Sequence, residues 1–177
     1  VASTYNNIGA VYNSKGEHDY ALEYLQKALV IQLKQLGENH PYVAISYGNI
    51  GMGHYRKDEY DQAEEYLQKA LTIDLKQRGP DHPDVAMSYN YIGGVHYKKD
   101  EYDQALEYYQ KCLDIRIKVL GSDHPDVAIS SGDIATMHNA KGEYDQALEY
   151  LQKALSISLK QRGPDHPDVA MSYNYIG

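Results

Sequence analysis

The 177-residue sequence contains no tryptophan, no phenylalanine and a single cysteine, Cys112. One cysteine cannot form an internal disulfide, which favours a reducing compartment, and we therefore expect a cytoplasmic protein. Acidic residues outnumber basic ones, 25 to 17, and the net charge of −8 disfavours nucleic acid and anionic membranes as partners. No run approaches the roughly 18 consecutive apolar residues of a membrane-spanning helix, and residues 1–16 lack the shape of a signal peptide.

The aromatic residues are all tyrosines, 19 in number. Tyrosine buries its ring while keeping a polar tip, so it suits half-buried helix faces and binding surfaces. At helical spacing, as in Tyr66-Leu67 and Tyr108-Tyr109, it is more often part of a core than of a cofactor site. The tyrosines therefore predict packed helices and no cofactor.

An internal repeat of 42 residues runs through the whole sequence without an insertion. A His-Pro pair, a glycine and an alanine recur at this spacing: His40, His82, His124 and His166; Gly37, Gly79, Gly121 and Gly163; Ala21, Ala63, Ala105 and Ala147. A fixed period of this size is the signature of a tandem array of one structural unit. It predicts a single array over residues 1–177, with repeats at about 1–40, 41–82, 83–124 and 125–166 and a partial repeat at 167–177.

A second period of 84 residues is superimposed on the first. The segment Gln77–Gly93 is identical to Gln161–Gly177, two repeats later. We infer that a two-repeat unit was duplicated. Odd and even repeats then present different side chains to a partner.

Each repeat has the pattern of two helices. In the third repeat, Pro83 suits the first position of a helix, because its missing N–H is not needed there. Apolar residues follow at helical spacing, and the polar run at 98–101 separates them from a second apolar stripe. Gly121 stands at the end of that stripe, where a left-handed residue is expected. The pattern predicts an all-α fold of antiparallel helix hairpins.

The third repeat resembles the tetratricopeptide repeat (TPR) signature. The matching residues are Tyr89, Ile92, Gly93 and His96 on the first helix and Ala105, Tyr109 and Cys112 on the second. Small residues stand where the paired helices of this family approach closely, at Gly9, Gly51, Gly93 and Ala135 and at the repeated alanines. Where the usual 34-residue unit has a proline, this sequence has Leu33, Leu75, Ile117 and Leu159, so the second helix continues.

The longer unit resembles the 42-residue arrays of kinesin light chains. This resemblance implies a right-handed α-solenoid whose first helices line a concave groove. The implied function is that of a scaffold or adaptor that binds an extended peptide or a segment of a protein partner. The family-derived candidate ligand-binding residues are Asn6, Asn7, Asn49, Tyr55, Arg56, Asn90, Tyr91, Tyr97 and Lys98.

The chemistry of these groove candidates suits a peptide. Asparagine can pair with a peptide backbone as both donor and acceptor, and tyrosine is a common interface anchor. Arg56 and Lys98 would favour an acidic segment near the second and third repeats. The alternative is that some of these residues pack between neighbouring first helices.

Two further hypotheses concern the context of the array. One is that it is a structural or sensory module of a larger multidomain signalling protein, with no dedicated peptide ligand. The other is that the sequence is a piece of a longer array, whose terminal repeats would associate end to end.

The sequence predicts neither a catalytic nor a metal site. Residues 42 positions apart are expected about 10 Å apart on packed helices, whereas zinc ligands must converge to within about 2.1 Å of one ion. His54, His96 and His138 are therefore interpreted as packing residues with a satisfied ring nitrogen. Cys112 occupies a position held by alanine elsewhere, as a small buried residue. We expect no enzyme.

Overall fold

The computed structural model describes residues 1–163, which form eight α-helices and no strand. They are α1 (Ala2–Ser14), α2 (His18–Leu36), α3 (Pro41–Arg56), α4 (Tyr60–Arg78), α5 (Pro83–Lys98), α6 (Tyr102–Leu120), α7 (Pro125–Ala140) and α8 (Tyr144–Arg162). Consecutive helices pair as hairpins, and each second helix packs on the first helix of the next hairpin. The predicted repeat end at 166 and the partial repeat 167–177 lie outside the described residues.

The hydrophobic core runs along the stack and joins successive hairpins. One cluster contains Leu67 and Leu71 of α4, Val85 and Ile92 of α5, and Cys112 of α6. Two similar clusters lie on either side of it along the stack. Each repeat therefore shares its hydrophobic core with its neighbours, as expected of a solenoid.

The close approach of paired helices is confirmed at the predicted small residues. In the second hairpin, a Cβ added to Gly51 would lie 2.8 Å from Leu67 Cγ and 3.1 Å from the carbonyl oxygen of Ala63. Neither distance leaves room for a larger residue without movement of α4. Glycine on α3 therefore sets the helix separation within this hairpin.

Each His-Pro pair starts a first helix, and the histidine is its N-cap. The Nδ1 atoms of His40, His82 and His124 accept the backbone N–H of the residue two positions later, at 3.1, 3.1 and 3.2 Å. The proline follows as the first helical residue, as predicted. An accepting Nδ1 requires a neutral ring that carries its proton on Nε2. The 42-residue spacing draws attention to this histidine in the sequence, but the residue type alone does not show that it is an N-cap.

Replacing His82 with alanine is expected to lower the free energy of unfolding by about 0.5–2 kcal/mol, because the first turn of α5 loses its side-chain acceptor. Urea unfolding followed by circular dichroism measures the change. His82→Asn is the matched control, since asparagine is a good N-cap, and it should retain most of the stability. Equal losses in the two variants would contradict the capping role.

The glycines that end the second helices differ from the prediction in one respect. Gly121 has the expected positive φ of 87°, but its ψ of 158° places it in an extended conformation and not in the left-handed helical region. Its N–H still bonds to the carbonyl of Ile117. The chain therefore leaves α6 extended toward the next His-Pro pair and does not fold back on the helix. This region of φ and ψ is essentially restricted to glycine.

Candidate functional site

The first helices of neighbouring repeats lie side by side on one face of the stack, where α3 contacts α5 directly. We define the groove as the outward surface of α1, α3, α5 and α7. Its exposed residues include Asn7, Ile45, Asn49, Arg56, Met87, Lys98, Ile129 and Asn139, and its half-buried residues include Tyr55, Tyr91 and Tyr97. Gly48 and Gly132 have open space beside them on this surface.

Two exposed cations, Arg56 and Lys98, stand at the C-terminal ends of α3 and α5, in the two middle repeats of the groove. Within residues 1–163, neither Arg56 nor Lys98 forms an ion pair. By contrast, the lysine that follows α3, α5 and α7 pairs with an aspartate of the preceding hairpin: Lys57 with Asp19 at 2.8 Å, Lys99 with Asp61 at 3.0 Å and Lys141 with Asp103 at 2.8 Å. The charges of Arg56 and Lys98 are thus available to a ligand.

Asn49 and Arg56 share a cavity between the first two repeats. This cavity of about 290 Å³ is also lined by Asn13, Ser14 and Leu25. Asn49 is exposed and makes no side-chain hydrogen bond within the described part of the chain. The Ser14 hydroxyl donates to the Ala10 carbonyl and Asn13 Oδ1 bonds to His18, so the free groups in this cavity are the Asn49 amide and the Arg56 guanidinium.

The second and third repeats share an aromatic arrangement that the first and fourth lack. Tyr55 contacts Tyr60 edge to face at 6.0 Å, and Tyr97 contacts Tyr102 at 6.2 Å. The other two repeats have Asn13 and Asn139 at the positions of Tyr55 and Tyr97. Burial, with the nearby charge of Asp58, raises the pKa of Tyr55, so its hydroxyl remains a neutral donor at neutral pH.

A buried tyrosine that sequence reasoning assigned only to packing reaches the groove floor. Tyr109 replaces the leucine of the other three repeats, at positions 25, 67 and 151. A Cβ added to Gly94 would lie 3.7 Å from the Tyr109 hydroxyl and 3.9 Å from that of Tyr55. Burial and Asp133 raise the pKa of Tyr109. In the sequence, the groove role of Tyr109 is indicated by the replacement of the repeated leucine with tyrosine in the third repeat.

Two predicted ligand-binding asparagines are already engaged between repeats. The amide of Asn90 donates to Asp133 of α7 at 3.2 Å, and burial raises the pKa of that carboxyl although Asn90 opposes the rise. Asn6 donates to Ser46 of α3 at 3.4 Å, while its Oδ1 is buried without a partner among the described residues. These two side chains brace neighbouring first helices. Tyr91 is half-buried and packs against the core.

The helix-end histidines are packing residues with a satisfied ring nitrogen, as predicted. Nδ1 of His54, His96 and His138 lies 2.7, 2.6 and 2.7 Å from a carboxylate oxygen of the glutamate at the N-cap of the next helix. Each ring stacks on a tyrosine of that helix, at 5.2 to 5.6 Å. Over residues 1–163, no three His, Cys, Asp or Glu side chains are grouped so that they could hold a metal ion.

Cys112 is buried beside Ser130, with 3.6 Å between Sγ and Oγ. Burial raises the pKa of its thiol, which disfavours the reactive thiolate. Among the helices described, none is long and apolar enough to cross a membrane.

Stacked antiparallel hairpins of constant length define a helical repeat protein. A tetratricopeptide repeat family model matches residues 1–76, 43–115, 84–160 and 130–177. The chain therefore belongs to the tetratricopeptide repeat family, and the predicted right-handed α-solenoid is confirmed. The match indicates no catalytic family. No curated protein sequence matches the chain.

Several solved structures share this fold. The crystal structure of the nearly identical TPR-like repeats of a putative kinesin light chain from Podosopora anserina has a TM-score of 0.87 and 23% identity, over 98% of this chain and 82% of that one. BtubC (BKLC) from P. vanneervenii has a TM-score of 0.85 and 25% identity, over 94% and 66%. MamA has a TM-score of 0.69 and 25% identity, over 90% and 80%. The predicted similarity to kinesin light chain arrays is confirmed at the level of the fold.

Proposed function

We propose that this repeat array is a scaffold that holds an extended segment of a protein partner in the groove. The observation that carries the proposal is the pair of unpaired cations, Arg56 and Lys98, each next to a half-buried tyrosine. Exposed charges beside rigid aromatic rings are typical of binding hot spots. A reducing, cytoplasmic setting is part of the proposal.

The groove favours a peptide with at least one acidic side chain. Arg56 and Lys98 supply cations on neighbouring repeats, in a molecule whose net charge is −8. Asn49 supplies a donor and an acceptor for the peptide backbone, and the open space beside Gly48 allows that backbone to approach α3. Of the nine residues predicted from the sequence, Asn7, Asn49, Tyr55, Arg56, Tyr97 and Lys98 remain as proposed ligand contacts.

The double variant Arg56→Ala/Lys98→Ala is expected to weaken binding of groove-selected peptides about tenfold or more, because two charge-assisted contacts are lost. Peptides selected from a random phage-displayed library on the full chain serve as probes, with affinities from isothermal titration calorimetry. Lys34→Ala is the matched control, since Lys34 is an exposed cation on α2, away from the groove. Equal binding by the double variant and the control would exclude the groove.

A structural or sensory module within a larger signalling protein is the second candidate. It is favoured by Asn6 and Asn90, whose amides join neighbouring repeats and so are withdrawn from ligand binding. Under this hypothesis the same selection enriches no peptide family. The two candidates are thereby separated by one experiment.

End-to-end association of copies stays a proposal. It is supported by Val11 of α1, which is exposed although its equivalents Val95 and Met137 are buried. Sedimentation velocity over a wide concentration range tests it, and a constant monomer mass would contradict it.

A further inference from the structure

A small apolar pocket opens at the edge of the groove in the third repeat. Pro83 and Met87 of α5 form one side and Val119 and Leu120 of α6 the other, and the charged Arg116 of α6 and Asp126 of α7 also line it. We call this the edge pocket. Its volume of about 100 Å³ is well below the roughly 300–1,000 Å³ of small-molecule sites, so it suits a single side chain.

The second repeat closes the equivalent place with a charged network. Arg78 donates to Asp74 at 3.1 Å within α4 and reaches Asp84, in the first turn of α5, at 2.9 Å. One repeat later, the residues equivalent to Asp74, Arg78 and Asp84 are Arg116, Leu120 and Asp126. The third repeat therefore retains the aspartate but lacks the arginine that neutralises it.

Arg116 does not replace the missing cation. Its Nη1 donates to the Ser130 hydroxyl at 2.7 Å and to the backbone oxygen of Asp126 at 3.1 Å. In the described part of the chain, the only ion-pair contact of the Asp126 carboxylate is His124 Nδ1 at 3.8 Å. That ring nitrogen already accepts the Asp126 N–H, so it does not supply a positive charge. The carboxylate is half exposed and faces solvent.

The rim of the edge pocket consists of exposed apolar side chains. Met87 is 44% exposed, Val119 45% and Leu120 40%, and Ile129, one turn beyond Asp126 on α7, is 57% exposed. The other repeats have glutamine at the position of Val119, namely Gln35, Gln77 and Gln161. Clustered apolar exposure of this kind marks an interaction surface, and Met87 makes it continuous with the groove.

We propose that the edge pocket receives an aliphatic side chain of the partner segment and that a lysine or arginine next to it pairs with Asp126. The basic group of the ligand would then pair with Asp126 in the way that Arg78 pairs with Asp84 in the preceding repeat. This inference rests on the proposed groove function and deepens it, because it assigns an aliphatic and basic anchor to the third repeat. The acidic preference at Arg56 and Lys98 belongs to the opposite ends of the first helices. Together the two sites give a bound segment one orientation.

The test uses random dodecapeptides displayed on phage and selected on the full chain. We expect the enriched peptides to share Leu, Ile or Met beside Lys or Arg. They should bind Val119→Gln/Leu120→Gln about tenfold more weakly, because the polar pair fills and wets the pocket. Glutamine at position 119 is the residue of the other three repeats, so the fold should tolerate it. Val30→Gln is the matched control, since Val30 is 65% exposed on α2, and it should leave binding unchanged.

A double-mutant cycle tests the ion pair. Asp126→Asn in the protein and Lys→Met in an enriched peptide should each weaken binding several-fold, and the second change should add little once the first is made. If the effects of the two substitutions were additive, Asp126 would not pair with the peptide lysine, and this part of the proposal would be wrong. Peptides that depend on Arg56 and Lys98 but bind Val119→Gln/Leu120→Gln normally would overturn the edge pocket and leave the groove standing. A selection that enriches nothing would overturn both.

Discussion

Replacing Leu67 with alanine is expected to lower the free energy of unfolding by about 2–5 kcal/mol. Leu67 is 0% exposed and belongs to the cluster that joins α4 to α5 and α6. Its truncation removes buried apolar area and leaves a cavity that the surrounding helices can fill only in part. The loss falls in the middle of a linear stack, so it weakens the second hairpin and also the surface against which the third hairpin packs.

Guanidinium chloride unfolding, followed by circular dichroism and by tyrosine fluorescence, measures this effect. Val30→Ala is the matched control, because Val30 is a 65% exposed aliphatic residue on a neighbouring second helix. It should change stability by less than about 0.5 kcal/mol. A similar loss in both variants would mean that Leu67 is not part of a packed interior.

Gly51→Ala is expected to destabilise the chain by about 1–3 kcal/mol, the usual result of overpacking. The new methyl group would lie 2.8 Å from Leu67 Cγ and 3.1 Å from the Ala63 carbonyl oxygen, and the carbonyl is backbone that can yield only if α4 moves. The fourth hairpin carries Ala135 at this position. The fourth hairpin faces this alanine with Leu151, the equivalent of Leu67.

Gly48→Ala is the control for this prediction. Gly48 lies on the same helix, but nothing approaches within 4 Å of an added Cβ. Alanine there should stabilise α3 by about 0.5–1 kcal/mol, because alanine is the better helix former. Thermal and denaturant unfolding distinguish the opposite signs, and equal signs for the two glycines would contradict the packing argument.

The two core changes should also be coupled. In Gly51→Ala/Leu67→Ala, the added methyl group meets the space left by the truncated leucine. The double variant is therefore expected to be more stable than the sum of the single effects predicts, by about 0.5–3 kcal/mol. Strict additivity would show that the two residues do not share this space.

Much of the fold could be predicted because the sequence repeats the same information four times. The starts of α3, α5 and α7 at Pro41, Pro83 and Pro125 match the prediction, since a proline that can begin a helix but not continue it leaves little choice of boundary. The ψ of Gly121 could not be predicted. A positive φ follows from glycine at a helix end, but ψ depends on where the next hairpin holds the His124 cap.

The candidate site could be predicted less completely, because its residues are set by contacts between repeats. Asn6 and Asn90 occupy one repeat position and Asn49 the next. The sequence does not show that Asn90 donates to Asp133 of the next first helix, whereas Asn49 is exposed without a side-chain partner among the described residues. The edge pocket likewise depends on a pair of exchanged charges, at positions 74 and 116, whose significance appears only when Arg78 is seen to reach Asp84. A single-repeat pattern carries no information about such pairings.

The lysine-to-aspartate pairs along the edge of the stack have a mechanical consequence. Lys57, Lys99 and Lys141 each tie one hairpin to the one before it, and exposed pairs of this kind contribute little stability and are screened by salt. The buried clusters hold the hairpins together, but these weak outer ties limit how far each hairpin can rotate on the next. Raising the ionic strength should therefore let neighbouring hairpins rotate more freely on one another and change the pitch of the superhelix, while the buried clusters keep the chain folded. The spacing of the first helices along the groove would then adjust to the length per residue of the segment that the groove binds.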